Sequence, residues 1–74
     1  MAKLSELAVG EQGVIASIDP SHAAGVRLME MGMTPGCAVK VLGVAPFGDP
    51  LEVEIRGYRL SLRRVEADLV QLQV

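Results

Sequence analysis

Residues able to do chemistry fall into a few small sets. Met29, Met31 and Met33 recur at every second position, and thioethers suit a soft ion such as Cu(I). They straddle the point where a helix must stop, so they need not converge, and packing in a core or an interface accounts for them better. His22, near Asp19, and Cys37 are the other metal-ligating types. No two of His22, Glu30 and Cys37 have the close spacing of a structural zinc site, and His22 reads as a surface residue near a helix start. Cys37 follows Gly36 with no histidine partner and no sequence-level reason for a lowered pKa. Glu52 and Glu54 share the outward face of one strand, where solvation explains them, and no Gly-rich phosphate loop is present. Catalysis is therefore not expected. No resident cofactor is expected either: any Fe(II) or Zn(II) association would be weak, and His22 and Cys37 are only weak candidates for holding a metal.

Arg56, Arg59, Arg63 and Arg64 all fall near one hairpin and its exit. Arginine is favoured at interfaces because its planar fork makes directed bonds. The set reads either as a contact surface for an acidic partner or phospholipid head groups, or as a solvated face balanced by Glu52, Glu54 and Glu66.

The elements that must position these side chains turn on Met31-Gly32-Met33-Thr34-Pro35-Gly36. Ser21 to Met31 reads as a short helix, with the Ser21 hydroxyl as its N-cap. Ala24, Leu28 and Met31 share one face, and Arg27 and Glu30 are spaced to pair. Gly25 weakens this helix by about 1 kcal/mol relative to alanine. Gly32 stands where a positive φ is needed after a helix end, and Thr34-Pro35-Gly36 makes a turn with proline second and glycine third. Upstream, Ser5 caps a single turn and Gln12 to Asp19 holds a first strand. Downstream, Ala38 to Ala45 is a strand, Pro46 to Pro50 a loop, and Leu51 to Arg56 alternates without a break as a half-buried strand. Gly57-Tyr58 turns the chain, and Leu60 and Leu62 continue the inward face. Arg63 to Asp68 holds a helical turn, and Val70, Leu72 and Val74 alternate as a last strand. The expected fold is mainly β, a small barrel of about five strands with a short helical insertion, closed so that no edge stays exposed.

Composition bounds the function. Seventy-four residues make one domain over 1–74, a size that buries only about 60% of its unfolded surface. The hydrophobic half of the chain must build a core of aliphatic residues, because Phe47 and Tyr58 are the only aromatics. A net charge of −2 argues against a general nucleic-acid binder. One cysteine excludes an internal disulfide, and no apolar run suits a signal peptide or a membrane span. A soluble cytoplasmic protein without membrane insertion is expected.

The series Leu28-Met29-Glu30-Met31-Gly32-Met33-Thr34-Pro35-Gly36, then Val39 and Val41, then Ala45-Pro46-Phe47-Gly48-Asp49-Pro50, resembles the FeoA family. Leu60-Ser61-Leu62-Arg63-Arg64 with Glu66-Ala67 and the Val70/Leu72 alternation is similar to that family's closing segment. The resemblance implies an SH3-like barrel with a helical insertion. It also implies a cytoplasmic accessory protein of bacterial ferrous-iron uptake, acting with the permease FeoB at the inner membrane. Related domains close metal-dependent repressors, so a metal-responsive domain is one alternative, and an SH3-like nucleic-acid module is another. Self-association to a homo-oligomer is left open.

The family implies a partner, and the sequence limits where it binds. Leu28 and Met29 are adjacent on the helix, about 100° apart, so one face cannot bury both equally. Phe47 tips its loop between Pro46 and Pro50. The expected contact patch is Leu28, Met29, Met33 and Phe47, with Arg56 and Arg59 as the alternative surface.

Overall fold

A computed structural model describes residues 2–73. Five strands form one antiparallel ladder: β1 (Gln12–Ile18), β2 (Ala38–Val44), β3 (Leu51–Ile55), β4 (Tyr58–Leu62) and β5 (Val70–Leu72). Their order is β4-β3-β2-β1-β5. The helix α1 (Ala23–Glu30) is inserted between β1 and β2, and α2 (Arg64–Ala67) between β4 and β5. Strand parity selects the core, as the sequence pattern implies: Leu51, Val53 and Ile55 of β3 face inward with Leu60 and Leu62 of β4, Val39 and Val41 of β2, and Val70 and Leu72 of β5. Leu4, Ile15, Ile18, Leu28, Met33 and Ala67 complete it, and no polar side chain is buried among the described residues. The expected inward residue Val74 lies outside them.

β1 serves both halves of the ladder. Its start pairs with β2 (Gln12↔Lys40, Val14↔Ala38), and its end pairs with β5 (Ile15↔Leu72, Ile18↔Val70), with a register shift between Ile15 and Ser17. A second shift, between Val41 and Gly43, bends β2 where it runs beside β3. The sheet curls into a small barrel, as expected, but among the described residues its ladder does not close. The outer edge of β5 is covered by the chain's start: the Leu72 amide donates to the Ala2 carbonyl at 2.8 Å, and Lys3 bridges to Gln71. Among the described residues nothing pairs with the outer edge of β4.

Several local expectations are corrected by competing interactions. A 3-10 turn covers Leu4–Glu6, with Ser5 inside it rather than capping it; the Glu6 carboxylate accepts the Lys3 amide at 2.6 Å. Ser21 does not cap α1, because its amide and hydroxyl both donate to Asp19 Oδ1, at 2.9 and 2.6 Å. The helix therefore starts after His22, without a side-chain cap. Arg27 pairs with Glu66 of α2 at 2.8 Å instead of Glu30. The β3–β4 turn is Arg56-Gly57, both with positive φ (50° and 82°), while Tyr58 belongs to β4. That is the two-residue geometry that matches strand twist in hairpins.

Gly25 explains the altered helix face. It is buried, and a Cβ there would stand 2.1 Å from the Asp19 carbonyl oxygen. The helix backbone lies directly on the loop from β1, so Gly25 and Leu28 face inward, Ala24 is half-buried and Met31 is exposed. Helix propensity alone predicts that Gly25→Ala gains about 1 kcal/mol. Overpacking predicts instead a loss of about 1–3 kcal/mol, read as a lower urea midpoint. An unchanged or raised midpoint would show that helix and loop separate freely.

Candidate functional site

The pivot of the sequence becomes a junction of three segments. At the end of α1 the Gly32 amide donates to the Met29 carbonyl (3.0 Å) and the Met33 amide to the Leu28 carbonyl (3.1 Å). Gly32 has φ +101°. Together these make a Schellman motif, in which the residue after the glycine packs against the one five positions earlier. Met33 and Leu28 are both buried accordingly. Thr34-Pro35-Gly36-Cys37 follows as a tight turn, with the Cys37 amide donating to the Thr34 carbonyl at 3.1 Å and Gly36 at φ +92°. These are the proline-then-glycine requirements of a type II turn.

The tip of the β3–β4 hairpin closes over this turn. Arg56 is the one described non-glycine residue at positive φ. Its Nε donates to the Gly32 carbonyl at 3.1 Å and its Nη2 to Thr34 Oγ1 at 3.0 Å. A guanidinium at a helix C-terminus meets the negative end of the helix dipole. Cys37 Sγ lies 3.2 Å from Thr34 Oγ1 and 3.6 Å from the Gly32 carbonyl oxygen. The hydrogen bond with Thr34 holds the thiol below its ordinary pKa despite partial burial, and the Arg56 charge adds to this. This corrects the expectation that nothing perturbs Cys37. The Thr34–Arg56 pair could not be read from spacing, because Arg56 comes from the distant β3–β4 turn.

The expected site residues do not form one surface. Leu28 and Met33 are core residues, 2% and 0% exposed, so they cannot make the contacts expected of them; the Schellman motif turns them inward. Met29 is half-buried against the core. Phe47 is 98% exposed, on the loop beyond the other end of β2. Arg56 is tied to the turn, whereas Arg59 is exposed and lies 3.6 Å from Glu52. Arg63 and Arg64 lie past the far end of β4. Arg64 is held by the carbonyls of Gly48 (3.0 Å) and Ser5 (2.7 Å). The four arginines are thus divided between the two ends of one strand. His22 lies 4.0 Å from Asp19, on a loop separate from the Cys37 turn, and no three His, Cys, Asp or Glu residues cluster for a metal among the described residues. Exposed Met31 and Tyr58, at 38% and 41%, were missed. The glycine at 32 could have identified Met31, since the Schellman arithmetic buries position 33 in its place.

Residues 2–74 match the family model described as the FeoA domain. A fusion protein of Fe(2+) transport protein A and the Fe(2+) transporter FeoB from Porphyromonas gingivalis is 35% identical over 72 residues, covering 97% of this chain and 8% of its own length. The FeoA-like protein of Clostridium acetobutylicum superposes with a TM-score of 0.90 at 34% identity, over 100% of this chain and 90% of that one. The zinc complex of FeoA from Stenotrophomonas maltophilia, an SH3 domain protein, does so at 0.87 and 32% identity, over 99% and 91%. A manganese-dependent transcriptional repressor, 19% identical with a TM-score of 0.87, shares the fold alone.

Two outcomes test the junction. Gly32→Val should cost about 1–3 kcal/mol of unfolding free energy, since a β-branched residue resists positive φ and its Cβ would meet the Tyr58 hydroxyl at 3.2 Å. An unchanged denaturation midpoint would contradict this. For the thiol, lowering the pKa populates thiolate at lower pH. The rate of alkylation by iodoacetamide should then rise at a lower pH than for free cysteine. Thr34→Val should move that profile upward, and Arg56→Ala should do so less.

Proposed function

The chain belongs to the FeoA domain family, and from that premise we propose that it is an accessory protein of bacterial ferrous-iron uptake that binds the FeoB permease from the cytoplasmic side of the inner membrane. The observation that carries this reading is the Porphyromonas gingivalis protein, in which an FeoA domain and FeoB share one chain. Tethering keeps two partners at high effective concentration, which is useful when their separate affinity is modest. This chain corresponds to 8% of that fused protein, so transport itself belongs to the remainder. No helix among the described residues is long and apolar enough to cross a membrane.

The chain acts by binding rather than catalysis. Cys37 is its perturbed nucleophile, and its hydrogen-bond neighbours are a threonine hydroxyl and a backbone carbonyl, neither of which is a base. Iron enters this reading as the permease's cargo.

Phe47 is the anchor of the contact surface. A phenylalanine ring left almost wholly in water, on a loop that Arg64 fastens at the neighbouring Gly48 carbonyl, gains by entering a partner's apolar pocket. Partly exposed Met29 and exposed Met31 offer a second contact at the end of α1, with Leu28 and Met33 supporting them from below. Arg56, in the turn before β4, and Arg59, within β4, would meet acidic groups.

Phe47→Ala should leave the melting temperature of the domain unchanged and weaken capture of the permease about tenfold, equivalent to about 1.4 kcal/mol. Binding equal to the parent would remove Phe47 from the interface. Absence of any permease binding by the parent would overturn the proposed function.

A further inference from the structure

Among the described residues the outer edge of β4 is bare, whereas that of β5 is covered. β3 and β4 pair as Ile55↔Tyr58, Glu54↔Arg59, Val53↔Leu60, Glu52↔Ser61 and Leu51↔Leu62. In a hairpin with a two-residue turn, the pair beside the turn exchanges both hydrogen bonds, and such pairs then alternate along the ladder. Tyr58, Leu60 and Leu62 thus direct their backbone groups at β3, and Arg59 and Ser61 direct theirs outward. The next amide, that of Arg63, is taken by the Glu66 carboxylate at 2.7 Å. Two donors and two acceptors, on Arg59 and Ser61, therefore face away from the sheet.

We propose that this edge is self-complementary, and that two copies of the chain pair β4 to β4, antiparallel, about a two-fold axis at Leu60. The choice of a second copy rests on register and charge. With the axis at Leu60, Arg59 faces the partner's Ser61 and Ser61 faces the partner's Arg59, so all four outward groups are satisfied. An axis at Arg59 would set two arginines directly opposite each other. An axis at Ser61 would set Arg59 against the partner's Arg63, whose amide is already committed. Like charges directly across a ladder are destabilising, so the Leu60 register is the symmetric one that avoids them.

The side chains agree with that register. Arg59 already leans on Glu52 of its own strand pair at 3.6 Å, and the partner's Ser61 is small enough to leave that contact in place. On the inner face, Leu60 would meet its own copy, and Tyr58 would meet the partner's Leu62. Leu60 is the most exposed core residue at 9%, and Tyr58 is 41% exposed. Two five-residue strands bury less surface than a standard stable interface, so the dimer is weak and forms at high local concentration. The inference does not depend on the permease reading.

Sedimentation equilibrium of the whole chain from micromolar to millimolar concentration tests it. The average mass should rise from 7.8 kDa toward twice that value. Ser61→Pro removes an amide that faces outward, a position where an edge strand tolerates proline, and should abolish the rise while the circular dichroism is retained. Hydrogen exchange of the parent decides the matter if that variant does not fold. The Arg59 and Ser61 amides should gain protection with concentration. A monomer at millimolar concentration with both amides unaffected would overturn the proposal. So would a dimer that persists in Ser61→Pro, or protection that appears only when permease is added.

Discussion

Ile15 exchanges two backbone hydrogen bonds with the turn after α1: its amide donates to the Cys37 carbonyl at 2.9 Å, and its carbonyl accepts from the Gly36 amide at 2.8 Å. Everything else in the fold is arranged around that exchange. Ile15 is where β1 leaves β2 and takes β5 as its neighbour, and its side chain is fully buried. The Gly36 amide is delivered there by a residue at φ +92°, a conformation costly for anything with a Cβ. The inserted helix must then end in register with this turn. The Schellman motif at Gly32 meets that demand by burying Met33 over Leu28. The hairpin tip follows, since Arg56 can reach the Gly32 carbonyl only when both glycines hold their positions.

Features that depend on period two or on a special φ were legible before the structure. Leu51, Val53, Ile55, Leu60 and Leu62 could be assigned inward, and Gly32 and Gly36 could be assigned positive φ, because each follows from residues nearby in the chain. What escaped involves a distant partner. Arg27 finds Glu66 thirty-nine residues away. Gly25 is required by a carbonyl on a loop that packs over it, and sequence shows it only as a poor helix former. Ser21 failed as a cap because Asp19 offered its amide and hydroxyl a nearer acceptor. The exposure of Phe47 was readable from its proline-flanked loop. Leu28 and Met33 were misread because adjacency on a helix was weighed without the motif that ends it.

The same barrel occurs in a repressor at 19% identity, so the architecture alone does not specify a role. The chemistry of this chain lies in the residues that decorate the barrel. A phenylalanine stands in water on a loop that Arg64 fastens at Gly48, and a thiol sits beside an arginine that is already committed elsewhere. Both features sit on connections between strands, where a rigid ladder fixes their position without dictating their chemistry.

The covering of β5 by residues 2 and 3 also sets where the domain can be attached to something larger. The backbones of residues 2 and 72 touch, so a tether at either end leaves from nearly the same spot. That spot is on β5, and β4 is at the opposite extreme of the strand order. Covalent linkage would therefore leave along the β5 edge, which residues 2 and 3 already cover. Head-to-tail joining of the two ends would need only a short connector, and the exposed loop around Phe47 would then be a natural place to reopen the chain.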